Sequence, residues 1–163
     1  MREEVSGAIV RCGPHGRFAQ ALGITQGDME MFRGSCLCGK VSYEVRGSPE
    51  SMYYCHCGMC RKATGSSFAT NMLVQETDFV VTSGQALIKA FQSSPGEYRH
   101  FCSECGSPIY GKALIREGKV SVRCGALDDD PLMRPTIHIY TASKAPWTSI
   151  CDQLPQFAEA PEP

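Results

Sequence analysis

The sequence has no charge of one sign to spare. Its 16 lysines and arginines stand against 17 aspartates and glutamates, a formal net charge of -1. With no long run of either sign, that balance advertises no nucleic-acid partner and no anionic membrane surface. It also lacks any run of the roughly 20 consecutive apolar residues that a membrane-spanning helix needs. The first ten residues, MREEVSGAIV, carry two acidic side chains and no long apolar stretch, so a secretory signal is not expected and the expected location is cytoplasmic. There is one tryptophan and no internal repeat of solenoid length. At 163 residues the chain has the length of one domain with one core.

Cysteine, by contrast, is plentiful. There are ten, and in a reducing compartment clustered cysteines point to metal or redox chemistry rather than to a disulfide framework. Seven of the ten fall in three clusters: Cys36-Leu37-Cys38-Gly39, Cys55-His56-Cys57-Gly58-Met59-Cys60 and Cys102-Ser103-Glu104-Cys105-Gly106. Zinc takes thiolates at about 2.3 Å and favours four tetrahedral ligands. A C-x-x-C turn aims two sulfurs at one point, and a C-x-C pair on extended chain places both on one face. The glycine after such a pair lets the backbone turn without a Cβ penalty.

The partition of the clusters is informative. Cys36, Cys38, Cys102 and Cys105 complete a four-thiolate set, the closed pattern of a structural ion. Cys55, Cys57 and Cys60 remain, and three ligands with an open fourth position is the catalytic pattern. His56 is a poor fourth ligand, because adjacent side chains on an extended segment face opposite ways. From spacing alone, closure of this set by Cys124, His100 or His138 stands as an even alternative. A further arrangement would share one ion between Cys55–Cys60 and Cys36/Cys38, leaving Cys102/Cys105 as a redox pair. Cys12, Cys124 and Cys151 lie outside the clusters.

The rest of the chain sets the frame. Residues 1–30 show no strand alternation and are expected to form a poorly ordered extension. Residues 31–155 read as a small, mainly β, antiparallel domain. Val41, Tyr43 and Val45 alternate with polar neighbours up to Gly47-Ser48-Pro49. Further strands are expected over 67–74, 78–83, 87–92, 97–101, 108–113, 119–124 and 136–140. One helical turn is expected after Cys60, stopped by Gly65. The tail, 156–163, is polar and proline-rich and is expected to fray.

The segments GSCLCGKVSYEV, YCHCGMCRKATGSSF and FCSECGSPIY resemble the glutathione-dependent formaldehyde-activating family. Seven cysteines fall in register over about residues 34–147, with the flanking glycines. The resemblance implies a zinc-containing antiparallel β-tent with two Zn2+ per chain. It implies a structural zinc at Cys36, Cys38, Cys102 and Cys105 and a catalytic zinc at Cys55, Cys57 and Cys60. The implied activity is that of a carbon–sulfur lyase making S-(hydroxymethyl)glutathione from glutathione, or another thiol, and formaldehyde or a related aldehyde. Arg61, directly after Cys60, is the candidate to meet substrate carboxylates. Two other readings fit the same cysteines: a carrier of thiols or their adducts, and a non-catalytic interaction module stabilised by zinc. His100 and His138, beside apolar neighbours, read as core or surface histidines, and Phe101 and Trp147 as core aromatics.

Overall fold

The computed structural model describes residues 31–161. The expected extension, 1–30, lies outside the described residues. The chain folds into two sheets. Strands β1 (Met31–Ser35), β2 (Ser42–Arg46) and β5 (Phe79–Ser83) form the smaller, in the order β1-β2-β5. The larger has seven strands in the order β10-β3-β4-β9-β8-β7-β6. These are β3 (Ser51–Cys55), β4 (Ala69–Gln75), β6 (Ile88–Ser94), β7 (Glu97–Cys102), β8 (Pro108–Ala113), β9 (Lys119–Arg123) and β10 (Ile137–Ile139). Every neighbouring pair is antiparallel except β10, which lies parallel to β3.

Two strands were not legible in the sequence. In β1, MFRGS, only Met31 and Phe32 are apolar, and β3 is a five-residue segment, SMYYC, that merges into the second cysteine cluster. Both are held by ladder pairing: Phe32 opposite Val45, and Met52 opposite Met72. The tail also differs from expectation. The Phe157 N–H donates to the His138 carbonyl at 2.8 Å and the Thr141 N–H donates to the Phe157 carbonyl at 3.0 Å. Residues 155–159 dock beside edge strand β10 because they satisfy backbone groups it would otherwise leave open.

The core lies between the sheets. Val41, just before β2, and Tyr43 and Val45 on it meet Met72, Val74, Val120 and Val122 from the large sheet, all almost fully buried. Because side chains alternate along a strand, those valines and Met72 commit one face of β4 and β9 to the core. Asn71, Ser121 and Arg123 are thereby turned to the opposite face, and they are buried as well. That second face is covered by the cysteine loop after β3.

Candidate metal centres and the cavity beside them

The first cysteine cluster follows β1 and the third follows β7. In both, the chain turns back on itself. The Gly39 N–H donates to the Cys36 carbonyl at 2.9 Å and the Gly106 N–H donates to the Cys102 carbonyl at 2.8 Å, with Gly106 at φ +75°. Ser107 ties the two turns together: its hydroxyl accepts the Leu37 N–H at 2.9 Å and the Cys105 thiol at 3.3 Å. Cys36, Cys38, Cys102 and Cys105 gather with all four sulfurs within 4.8 Å of one another. Cys36 and Cys38 are 3.4 Å apart, and Cys38 and Cys102 are 3.9 Å apart. These spacings exclude disulfides, whose S–S bond is about 2.05 Å. They match the about 3.8 Å that separates thiolates at 2.3 Å around a tetrahedral ion.

The second cluster is built where β3 ends. Cys55 closes the strand, Cys57 caps helix α1 (Gly58–Thr64) by accepting the Cys60 N–H at 3.3 Å, and Cys60 is the buried residue of its first turn. The helix begins three residues earlier than the sequence suggests because Cys57 supplies its cap; Gly65 ends it as expected. The three sulfurs lie within 4.8 Å of one another. Among the described residues no fourth ligand joins them, and Cys124, His100 and His138 lie apart. Cys124 packs against the core between the sheets, where burial pushes its thiol up to about 12. It is therefore no ready nucleophile.

Crowding governs the charge of the three-cysteine set. Hydrogen bonding from Cys55 and Cys57 holds Cys60 well below the usual thiol range, assisted by Arg123 and Arg99. Cys55 is pushed far up by its contacts with Cys57 and Cys60 and by burial. One thiolate is thus accommodated without help, and three together call for a cation among them. Both donor sets, four sulfurs and three, fit a thiolate-seeking metal ion.

Behind this cluster runs a chain of polar side chains. His56 and His138 are buried, with His56 Nε2 and His138 Nδ1 2.8 Å apart. His138 Nε2 lies 3.0 Å from Asp152 Oδ1. The carboxylate accepts the Nε2–H of His138, leaving Nδ1 to accept the Nε2–H of His56. Tyr54 stacks on His138, with ring centroids 4.9 Å apart. His56 therefore faces away from the sulfurs of its neighbours, as the alternation rule requires, and anchors the Cys55–Cys57 segment from behind.

In front of the cluster is a cavity of about 280 Å³, lined by Cys55, Cys57 and Cys60 and by the second face of the large sheet. The register lays this floor: Tyr53 pairs Asn71, Asn71 pairs Arg123, Ser121 pairs Gly111 and Gly111 pairs Arg99. Arg99 Nη1 reaches to 3.7 Å from Cys60 Sγ, and an Arg123 Nη1–H donates to Asn71 Oδ1. Arg116 and Glu97 pair at 3.5 Å on the rim. Arg61 does not line this cavity. It sits over the ring of the exposed Trp147, 5.9 Å from the centroid, and donates to the Ser143 carbonyl at 3.4 Å. Phe101 lines a neighbouring cavity of about 240 Å³ that shares Arg99 and Arg123 with the first. The sequence reading missed both arginines, although the alternation in Val120-Ser121-Val122-Arg123 marks a polar face that something must cover.

No helix among the described residues is long and apolar enough to cross a membrane. A sequence profile of the family described as "Glutathione-dependent formaldehyde-activating enzyme" matches residues 31–143. A protein of Halomonas elongata, provisionally named a glutathione-dependent formaldehyde-activating enzyme, is 34% identical over 130 residues, covering 74% of this chain and 81% of its own. A Fusarium vanettenii protein with the same provisional name is 29% identical over 94 residues, covering 55% of this chain and half of its own length. A crystal structure of a Rhodobacter sphaeroides protein shares the fold. It has a TM-score of 0.52 at 23% identity, covering 60% of this chain and 89% of that one.

Proposed function

Since the chain belongs to the glutathione-dependent formaldehyde-activating enzyme family, we propose that it is a zinc-dependent carbon–sulfur lyase-type enzyme acting on a thiol such as glutathione and on formaldehyde or a related aldehyde adduct. The observation that carries this reading is the meeting of three sulfurs, with no fourth protein ligand among the described residues, in the wall of a cavity of about 280 Å³.

Cys36, Cys38, Cys102 and Cys105 are the residues that would hold a closed, structural zinc. Cys55, Cys57 and Cys60 are those that would hold a second ion with one position open. Zinc held there would supply thiolate near neutral pH by lowering the pKa of a thiol that reaches it. In the forward direction the sulfur lone pair forms a bond to the carbonyl carbon, the C=O π bond opens onto oxygen, and the thiol proton ends on the new hydroxyl. The reverse breaks that carbon–sulfur bond.

What the chain itself supplies is placement. The helix cap at Cys57 and the His56–His138–Asp152 chain hold the segment that carries the sulfurs. The half-enclosed cavity keeps the reacting pair close and displaces most water. Arg99, Arg123 and the paired hydroxyls of Tyr53 and Ser121, 3.3 Å apart, supply polar contacts around the reacting groups.

A carrier that binds the adduct without speeding its formation uses the same cavity, so the test is kinetic. Saturation-transfer NMR follows exchange between free thiol, formaldehyde and adduct, with protein, without it, and with Cys57→Ser. The wild type is expected to raise the exchange rate above the spontaneous one and Cys57→Ser to return it there. Equal exchange in all three samples refutes the lyase reading.

A further inference from the structure

Arg99 and Arg123 are poorly explained by the fold alone. Arg123 is only 7% exposed, and burying a guanidinium is costly unless it is paired and hydrogen-bonded. Yet among the described residues neither arginine has a carboxylate within ion-pair distance. Glu97, the acidic residue that lines the same cavity, is taken by Arg116. Each guanidinium has five N–H donors. Among the described residues Arg123 places one of them on Asn71, and Arg99 places one on Cys60 Sγ, while Arg99 Nε is buried with no acceptor.

The position of the pair is built into the sheet. Arg99 and Arg123 project from β7 and β9, and strand β8 between them carries glycine at the crossing point. A Cβ on Gly111 would come within 3.0 Å of Arg123 Nη2, so its absence lets the guanidinium lie across that strand. Charge bookkeeping points the same way. With a divalent ion on three thiolates the cluster carries -1, Arg116 and Glu97 cancel, and the two remaining arginines leave the cavity with a surplus positive charge. A thiolate alone offers one diffuse acceptor to many directed donors. A carboxylate offers two oxygens in the plane that guanidinium forks match.

We propose that Arg99 and Arg123 form a carboxylate subsite beside Cys55, Cys57 and Cys60, so that the thiol accepted there is one bearing a carboxylate a few bonds from its sulfur. The inference rests on the reading of the cysteine site as a thiol site. The two arginines also border the adjoining cavity of about 240 Å³, which has Phe91, Phe101 and Pro108 in its lining. A ligand with its sulfur at the cysteines and its carboxylate on the arginines therefore has room for a further apolar portion on that side.

The experiment is an NMR titration of the metal-loaded, 15N-labelled full chain, read at backbone amides and at arginine Nε–Hε signals. Three probes are compared: 3-mercaptopropionate, 2-mercaptoethanol and propionate. Loss of one signal in Arg99→Gln assigns Arg99. The expected result is that 3-mercaptopropionate binds about tenfold or more tightly than 2-mercaptoethanol, as a charge-assisted hydrogen bond implies, and moves the Arg99 signal. In Arg99→Gln the ratio of the two affinities falls to near parity. Equal affinity of the two thiols for the wild type overturns the subsite and leaves the thiol reading standing. Binding of neither thiol overturns both. A preference that persists unchanged in Arg99→Gln and in Arg123→Lys also overturns it. The wild-type comparison needs no variant, so a misfolded substitution cannot shelter the proposal.

Discussion

The two cysteine sets differ most in how much chain each one closes, and this yields a quantitative contrast. Cys38 and Cys102 are 64 positions apart. A cross-link over that span removes loop entropy from the unfolded chain worth about 4 kcal/mol by the usual logarithmic dependence. The second set closes only the short stretch from Cys55 to Cys60, and the same relation gives about 2 kcal/mol or less. Against a total stability of about 5–15 kcal/mol the difference is measurable. Cys38 is exposed, so Cys38→Ser weakens the long-range staple without opening a cavity, and Cys57→Ser does the same to the local site. In urea titrations run with and without a strong chelator, the wild type is expected to lose both contributions on chelation. Cys57→Ser should still lose about 4 kcal/mol, and Cys38→Ser, its staple weakened to three sulfurs, should lose clearly less than that. Equal chelator sensitivity in the two variants would refute the division into a staple and a local site.

Two further expectations concern groups outside the cysteine sets. His138→Leu strips the partner from His56 Nε2, whose Nδ1 is already without one in a fully buried ring; the cost is about 1–3 kcal/mol in urea melts, and a change below about 0.5 would show the chain to be ornamental. The imidazoles of His56 and His100 both sit below their usual pKa, chiefly because burial disfavours the charged ring, with His138 adding to the effect at His56 and Lys112 at His100. Since the unfolded chain takes up these protons more readily, their contribution is present above about pH 6.5 and is lost as pH falls through the folded values. His100→Phe keeps a ring against Tyr110, stacked at 4.1 Å in the wild type, and should make the acid decline shallower than in the wild type; identical acid limbs would contradict the assignment.

Much of the cysteine grouping was legible because it is local. Two sulfurs in a C-x-x-C turn are neighbours whatever the remainder of the fold does, so the three clusters could be read from spacing, while which pairs gather at one point was favoured there and is seen only in the fold. The β character of the domain was equally visible in alternations such as Val41, Tyr43 and Val45. What sequence hid was register. Arg99 and Arg123 lie 24 positions apart, and only the β7-β8-β9 ladder carries them to one cavity. In an isolated strand the polar residues of Lys119–Arg123 look like a solvent face; here that face lies beneath the cysteine loop. Arg61 drew attention by adjacency to Cys60, yet the turn of α1 sends it toward Trp147 instead. Strand β10 was expected, but its parallel pairing with β3 and the docking of 155–159 beside it depend on contacts distant in sequence, which no local pattern announces.

The proposed function requires an open position at Cys55, Cys57 and Cys60 that receives the substrate's chalcogen. X-ray absorption at the metal edge of the protein loaded with two equivalents of zinc, titrated with a selenol in place of the thiol, tests this most directly. The account predicts a metal–selenium path at saturation averaging about half a selenium per metal ion, since one of the two sites is closed by four sulfurs, and its loss in Cys57→Ser. A spectrum in which no selenium enters the metal shell would contradict it.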